Sequence, residues 1–213
     1  MSDLPADYDL NRLVLAFSDA FDLVGVDRLG HCRRVAEMAA QVADELGWEE
    51  PEPSRLIRAA LLHDCGVSTT GEHHDLMGAL LWVDGGEHSQ RGAEYLAAIP
   101  ELADLAPVVA RHHTPWVEMA AGKVDPAVAL PANLICLADR ADALRSRGVI
   151  PGRDVVINLR KQASFFAPDL LEALDRVARR EAFWFSQDEP AVTEDLIRRL
   201  HSGPRQSLDL AAV

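Results

Sequence analysis

An apolar helical run that ends on two polar residues sets the strongest limit on how this chain can fold. Leu56, Ile57, Ala59, Ala60, Leu61 and Leu62 lead straight into His63-Asp64. Such a run belongs in a core, so it carries an imidazole and a carboxylate inward with it. Buried polar groups need partners, and metal coordination is one way to provide them. The arrangement recurs: Leu134-Ile-Cys-Leu-Ala138 leads to Asp139, and Val108-Val109-Ala110 leads to His112 and His113. With His31 and His88 these residues form an ordered set. Imidazole and carboxylate together suit iron, manganese, zinc or nickel. Asp64 directly follows a histidine, so one carboxylate could sit between two ions, an arrangement that activates water and stabilises charge on phosphoryl oxygens. A lone helical histidine is more often a satisfied core or surface residue. The argument therefore rests on the ordered set and its apolar flanks.

The periodicity is helical nearly throughout, and no stretch alternates as a strand. Leu10, Val14, Phe17, Phe21 and Val24 form one stripe, which could also support a homodimer. Val35, Met38, Ala39, Val42 and Leu46 form another that stops at Gly47. Ser54 is the expected N-cap of the helix that reaches His63. Further helices are expected over residues 89–98, 102–111 with a kink or boundary at Pro107, 154–163, 168–185 and 193–201. Pro131 fits the first turn of the helix carrying Asp139. The tail from Ser202 to Val213 is expected to fray.

At 213 residues the chain is one domain with short extensions. The expected division is an N-terminal helix over 1–25, a metal-binding body over 26–178, and a helical extension with a flexible tail over 179–213. A net charge of −13, from 34 acidic against 21 basic residues, argues against duplex nucleic acid as a partner. No apolar run approaches the ~18 residues of a membrane span. The first residues lack the basic segment of a signal peptide. Cys32, Cys65 and Cys136 are odd in number and unpaired in spacing, which fits a reduced, cytoplasmic protein. Cys65 could join the ligands beside His63 but reads better as a small buried residue.

The order H…HD…H…HH…D resembles the HD superfamily of metal-dependent phosphohydrolases, and the paired histidines resemble its HD-GYP branch. The flanks carry the likeness further. His31-Cys-Arg-Arg-Val-Ala resembles the opening helix of that branch, and Leu62-His-Asp-Cys-Gly66 its HDxG element. His88-Ser-Gln-Arg-Gly-Ala-Glu-Tyr-Leu96 resembles the helix of the third histidine. Pro131 to Leu144 resembles the helix of the last aspartate, and Phe166 to Leu174 the closing helix. Two positions depart from the branch. Val67 stands where it has a lysine, and the segment after His113 lacks its glycine-tyrosine-proline loop.

The resemblance implies an all-α HD-domain helical bundle with a buried metal site. It implies that His31, His63, Asp64 and Asp139 hold one divalent ion, and that Asp64, His88, His112 and His113 hold the second. Iron or manganese is expected first, with nickel or zinc as alternatives. Asp64 then bridges as the catalytic carboxylate, and a hydroxide between the ions attacks phosphorus. Asp27, four residues before His31, is a candidate ligand for a third ion or a helix cap. Asp142 is the expected support for a ligand histidine. Arg111, Arg140 and Arg147 are candidate phosphate contacts. Trp116 either stacks on a base or caps the core. His73 and His74 either touch substrate or lie in an exposed loop. The implied substrate is a nucleotide phosphoester, with cyclic di-GMP as the branch's usual one. Its turnover should be weaker here, given the two departures. The competing readings are a non-catalytic metal-stabilised sensor and an HD-type di-iron oxygenase.

Overall fold

The computed structural model describes residues 7–22, 30–49, 51–67, 86–146, 152–187, 191–202 and 207–209. Its helices are α1 (Leu10–Asp22), α2 (His31–Glu45), α3 (Glu52–Leu61), α4 (Gly86–Ala97), α5 (Ala106–Val109), α6 (Trp116–Ala121) and α7 (Pro126–Ser146). They continue with α8 (Gly152–Arg160), α9 (Pro168–Ala178), α10 (Glu181–Phe185) and α11 (Ala191–Ser202). Short 3-10 turns at Ala103–Leu105 and Ala163–Phe165 lead into α5 and α9. The expected all-α bundle is what forms. The one addition, among the described residues, is a two-stranded antiparallel ribbon of β1 (Asp7–Asp9) and β2 (Ser207–Asp209). Part of the tail expected to fray is therefore held by backbone pairing. No described helix is long and apolar enough to cross a membrane.

Helix α7 is the central rod. Residues 131–144 are buried along its whole circumference, because Ala, Leu, Ile and Cys occupy every face. It starts earlier than its proline suggests. Asp125 Oδ1 accepts the Ala127 N–H at 2.9 Å and opens the helix, so Pro131 falls inside it. An internal proline removes one N–H and strands the carbonyl four residues back. That carbonyl, Ala127 O, accepts Arg55 NH1 at 3.0 Å instead. Other boundaries shift for equally local reasons. Pro53 falls in the first turn of α3, where a missing N–H costs nothing. The helix therefore begins at Glu52, and Ser54 is buried within it rather than capping it. Residues 168–185 split into α9 and α10 around the extended Arg180. The reading at Gly47 holds. It sits at φ 71, with Trp48 N donating to Ala43 O and Gly47 N to Asp44 O, both at 3.0 Å. This is the paired C-terminal bond pattern of a Schellman motif.

The apolar stripe of α1 is used within the chain. Leu10 and Val14 are buried. Asn11 donates Nδ2 to Leu200 O at 3.0 Å and accepts Arg58 Nε at 2.9 Å. Of the same stripe, Phe17 is 43% exposed and Phe21 packs beside the core, while Val24 lies outside the described residues.

Gly66 and Gly92 set how closely the turn after α3 approaches α4. A Cβ on Gly66 would lie 2.0 Å from the His88 carbonyl oxygen and 2.5 Å from Gly92 N. Backbone meets backbone there, and Arg91 Nε donates to Gly66 O at 2.9 Å. Because neither contact atom can yield, Gly66→Ala is expected to destabilise the fold by on the order of 3 kcal/mol. Urea unfolding measures this, and an unchanged midpoint would show that the approach is not needed.

Helix α11 rests on α2 through Val192, Leu196 and Leu200 and through a charge cluster. Arg199 Nε donates to Asp195 Oδ2 at 2.5 Å and NH1 to Asp44 Oδ2 at 2.8 Å. Glu37 Oε2 lies 3.7 Å from Arg199 Nε. Burial pushes the Glu37 carboxyl up to about 8, against the pull of Arg199 and Gln41. The folded protein thus keeps a proton that an unfolded glutamate releases near 4.5. That contribution to stability is complete below about pH 4.5 and is lost as pH rises through about 8. Glu37→Gln should flatten the decline, drawing together the urea midpoints at pH 6 and pH 8.5. A decline of equal size in both proteins would assign it to other groups.

Candidate metal centre

Each candidate ligand is delivered by the end, start or middle of a helix. His63 and Asp64 sit in the turn that follows α3, where Leu62 N still bonds back to Arg58 O and Ala59 O. His112 and His113 occupy the equivalent turn after α5. His31 is the first residue of α2, His88 lies in the first turn of α4, and Asp139 lies in the buried middle of α7. Turns after apolar helices present side chains inward while their backbone stays bonded to the helix.

The donor atoms converge as two groups. His31, His63 and Asp139 place one donor atom each within 4.8 Å of one another, and so do Asp64, His88, His112 and His113. Asp64 faces both. Its Oδ2 lies 3.3 Å from His63 Nε2 and 3.9 Å from His31 Nε2. Its Oδ1 lies 3.5 Å from His88 Nε2 and 4.0 Å from His112 Nε2. The separations are close enough for shared ions and longer than direct hydrogen bonds.

Tautomers follow from the other ring atom. His63 Nδ1 donates to Ala60 O at 2.8 Å, and His112 Nδ1 donates to Val109 O at 2.7 Å. A carbonyl can only accept, so in each ring Nε2 carries the lone pair. Both Nε2 atoms are buried, and no hydrogen bond reaches them. Inward lone pairs without donors fit a divalent ion, which needs neutral imidazole. His31 has a carboxylate in that role: its Nδ1 lies 2.8 Å from Asp142 Oδ2, as expected of Asp142.

The electrostatics fit the same reading. Burial holds His112 and His113 well below the usual imidazole range, reinforced for His112 by His63 and His88. For His31 burial acts in the same direction, but Asp139 and Asp142 outweigh it and raise the ring to about 10. A metal ion and that proton compete for one lone pair. Burial disfavours the charge on Asp64 and Asp139, yet both stay low. His63 and His88 hold Asp64, and Arg140 with His31 holds Asp139. Cys65 stays outside both groups. Its Sγ turns to Gly92 O at 3.7 Å, and burial beside the Asp64 charge pushes the thiol up to about 12.

The substrate-side expectations fare differently. Arg140 is 3% exposed and turned onto Asp139, with Nε at 3.1 Å and NH2 at 2.5 Å from the same oxygen. It is part of the ligand scaffold rather than an arginine displayed to a phosphate. Arg111, in the turn after α5, donates NH1 to Pro107 O at 3.3 Å. Trp116 is half-buried against the core, which favours its capping role. Asp27, His73, His74 and Arg147 lie outside the described residues. Arg34 escaped the sequence reading. It stands three residues after His31, as Asp142 stands three after Asp139, and those matched spacings were the available signal.

The family model of the HD domain matches residues 28–144, the stretch that contains both groups. The 3'3'-cGAMP-specific phosphodiesterase 1 of Vibrio cholerae serotype O1 is 31% identical over 193 residues. That match covers 84% of this chain and 44% of the relative. Among solved structures, a cyclic GMP-AMP specific phosphodiesterase of V. cholerae superposes with a TM-score of 0.74 at 15% identity. It covers 96% of this chain and 57% of that one, and at that identity the likeness concerns the fold. The chain spans about half the length of these relatives.

Protein purified without chelator is expected to hold two divalent ions per chain, measured by elemental analysis. Mn2+ returned to stripped protein should raise Tm, by about 2.7 kcal/mol of added stability at a hundred times Kd. Asp64→Ala should lose both ions and His112→Ala only one. Well under one equivalent in the native chain would overturn the assignment.

Proposed function

The chain belongs to the HD domain family, and on that premise we propose that it is a metal-dependent phosphodiesterase that opens a phosphodiester of a cyclic dinucleotide. One observation carries the reading: Asp64 offers one oxygen to each of two inward-facing imidazole groups. His31, His63, Asp64 and Asp139 would hold one ion, and Asp64, His88, His112 and His113 the other. Such a pair of ions supplies a water of lowered pKa and neutralises charge on phosphoryl oxygens.

The chain's own groups prepare that chemistry. The carbonyls of Ala60 and Val109 engage Nδ1 of His63 and His112 and so turn Nε2 of each ring inward. Arg140 takes one oxygen of Asp139 and leaves Oδ1 facing His31 Nε2 at 3.5 Å. Burial of both groups keeps bulk water from screening them. Donors of nitrogen and oxygen, with the nearby thiols held protonated near 12, favour iron or manganese over softer ions. Three free, buried cysteines accord with a cytoplasmic setting. The second histidine of the pair, His113, joins the second group. It fills a position that oxygen chemistry would leave open, which counts against an oxygenase.

For the substrate, the 31% relative points to 3'3'-cGAMP ahead of cyclic di-GMP. Val67 also bears on this choice, because it stands directly after the turn that carries Asp64. A charge-assisted bond to phosphate from a lysine there would contribute on the order of 1.5–3 kcal/mol, or about one to two decades in rate if expressed in the transition state.

With Mn2+ or Fe2+, the native chain should hydrolyse 3'3'-cGAMP and an activated diester such as bis(p-nitrophenyl) phosphate. Cyclic di-GMP should be cleaved at least ~10-fold more slowly in kcat/KM, with Val67→Lys recovering part of the difference. Fully metallated protein that cleaves none of the three would favour the sensor reading.

A further inference from the structure

The imidazoles of the centre are not all supported in the same way. His63 and His112 each donate Nδ1–H to the carbonyl three residues earlier, Ala60 O and Val109 O. Each follows a helix, so that carbonyl is available in its own turn. His31 opens α2, directly after the N-cap Gly30. Its Nδ1 partner comes from another helix, Asp142 of α7, at 2.8 Å. A carboxylate on a side chain can rotate, whereas a carbonyl in a turn cannot. Something must therefore hold Asp142.

We propose that Arg34 is a positioning residue for the metal centre, acting through Asp142 on His31. Arg34 Nε donates to Asp142 Oδ1 at 2.8 Å, and NH2 donates to Oδ2 at 3.0 Å. This two-point grip fixes the plane of the carboxylate. Oδ2 is then shared between Arg34 and His31 Nδ1. That bond keeps a proton on Nδ1, and Nε2 faces Asp139 Oδ1 at 3.5 Å and Asp64 Oδ2 at 3.9 Å. Asp142 is fully buried, so its charge also needs the guanidinium beside it. The geometry is reciprocal. Helix α2 presents His31 and Arg34, and α7 presents Asp139 and Asp142, each pair three residues apart and so on one helix face. Each helix contributes one candidate ligand and one support for the other helix's residue.

The inference rests on the metal-centre reading but not on the reaction. The test compares native protein with Arg34→Met, Arg34→Lys, Asp142→Asn and the Arg34→Met/Asp142→Asn double variant. Nitrogen-15 spectra of the Zn2+-loaded protein read which His31 nitrogen keeps its proton, and Mn2+ titration reads affinity. Arg34→Met should bind the ion at His31 about 10- to 100-fold more weakly and lose the single Nδ1–H state of His31. Arg34→Lys keeps the charge without the fork and should fall between. If Arg34→Met does not fold, the same two readouts on Arg34→Lys decide the matter. The double variant should be no weaker than Asp142→Asn alone, because the two residues act in series. Additive losses would overturn the proposal, as would unchanged affinity and tautomer with only a raised KM. No substrate enters the titrations. Protein that binds Mn2+ as expected yet cleaves no dinucleotide would sink the phosphodiesterase reading and leave this one standing.

Discussion

The structure is organised around lone pairs that point inward with no protein donor to meet them. His63 Nε2 and His112 Nε2 are buried and reached by no hydrogen bond. Leaving polar atoms in that state inside a core is unfavourable, so every other polar atom nearby must be tightly satisfied. The rest of the bundle follows from that demand. The last turns of α3 and α5 supply carbonyls to the far side of two rings. Glycines 66 and 92 let α4 come close enough to bring His88 within 3.5 Å of Asp64. Arg34 and Arg140 neutralise two buried aspartates on α7.

Charge is distributed with the same logic. The chain carries a net charge of −13, yet two of its arginines lie deep beside the cluster. They offset carboxylates that sit around the imidazoles and would otherwise repel one another. Pairs nearer the surface, such as Arg176 with Glu45 and Arg179 with Asp175, contribute little to stability. An anionic substrate would therefore be drawn to bound cations rather than to the protein's own field.

Much of this was legible in the sequence, and the reasons are physical. Apolar runs that end on His63-Asp64, His112-His113 and Asp139 state directly that these groups go inside. The helical period is strong enough to place most elements, and the Gly47 stop follows from its backbone freedom. What stayed hidden depends on contacts between distant segments. Pro131 reads as a helix start until Arg55, from another helix, is seen to occupy the stranded carbonyl. Arg140 reads as a phosphate contact because charge is visible in a sequence and burial is not. The stripe of α1 reads equally well as a dimer face or as packing on α2 and α3. Trp116 reads two ways, and the tail reads as fraying, for the same cause: a local pattern cannot show what a residue meets.

The ribbon of β1 and β2 has a consequence for what the motif means. Asp9 pairs with Ser207, so the first and last described segments lie side by side. Among the described residues the path from β1 to β2 returns to its start. A circular permutant opened at a surface turn would keep all seven donor residues in place while scrambling their order along the sequence. The sequence of ligands by which such a chain is recognised is thus a record of descent. The site itself requires only the crossing of the segments that carry them.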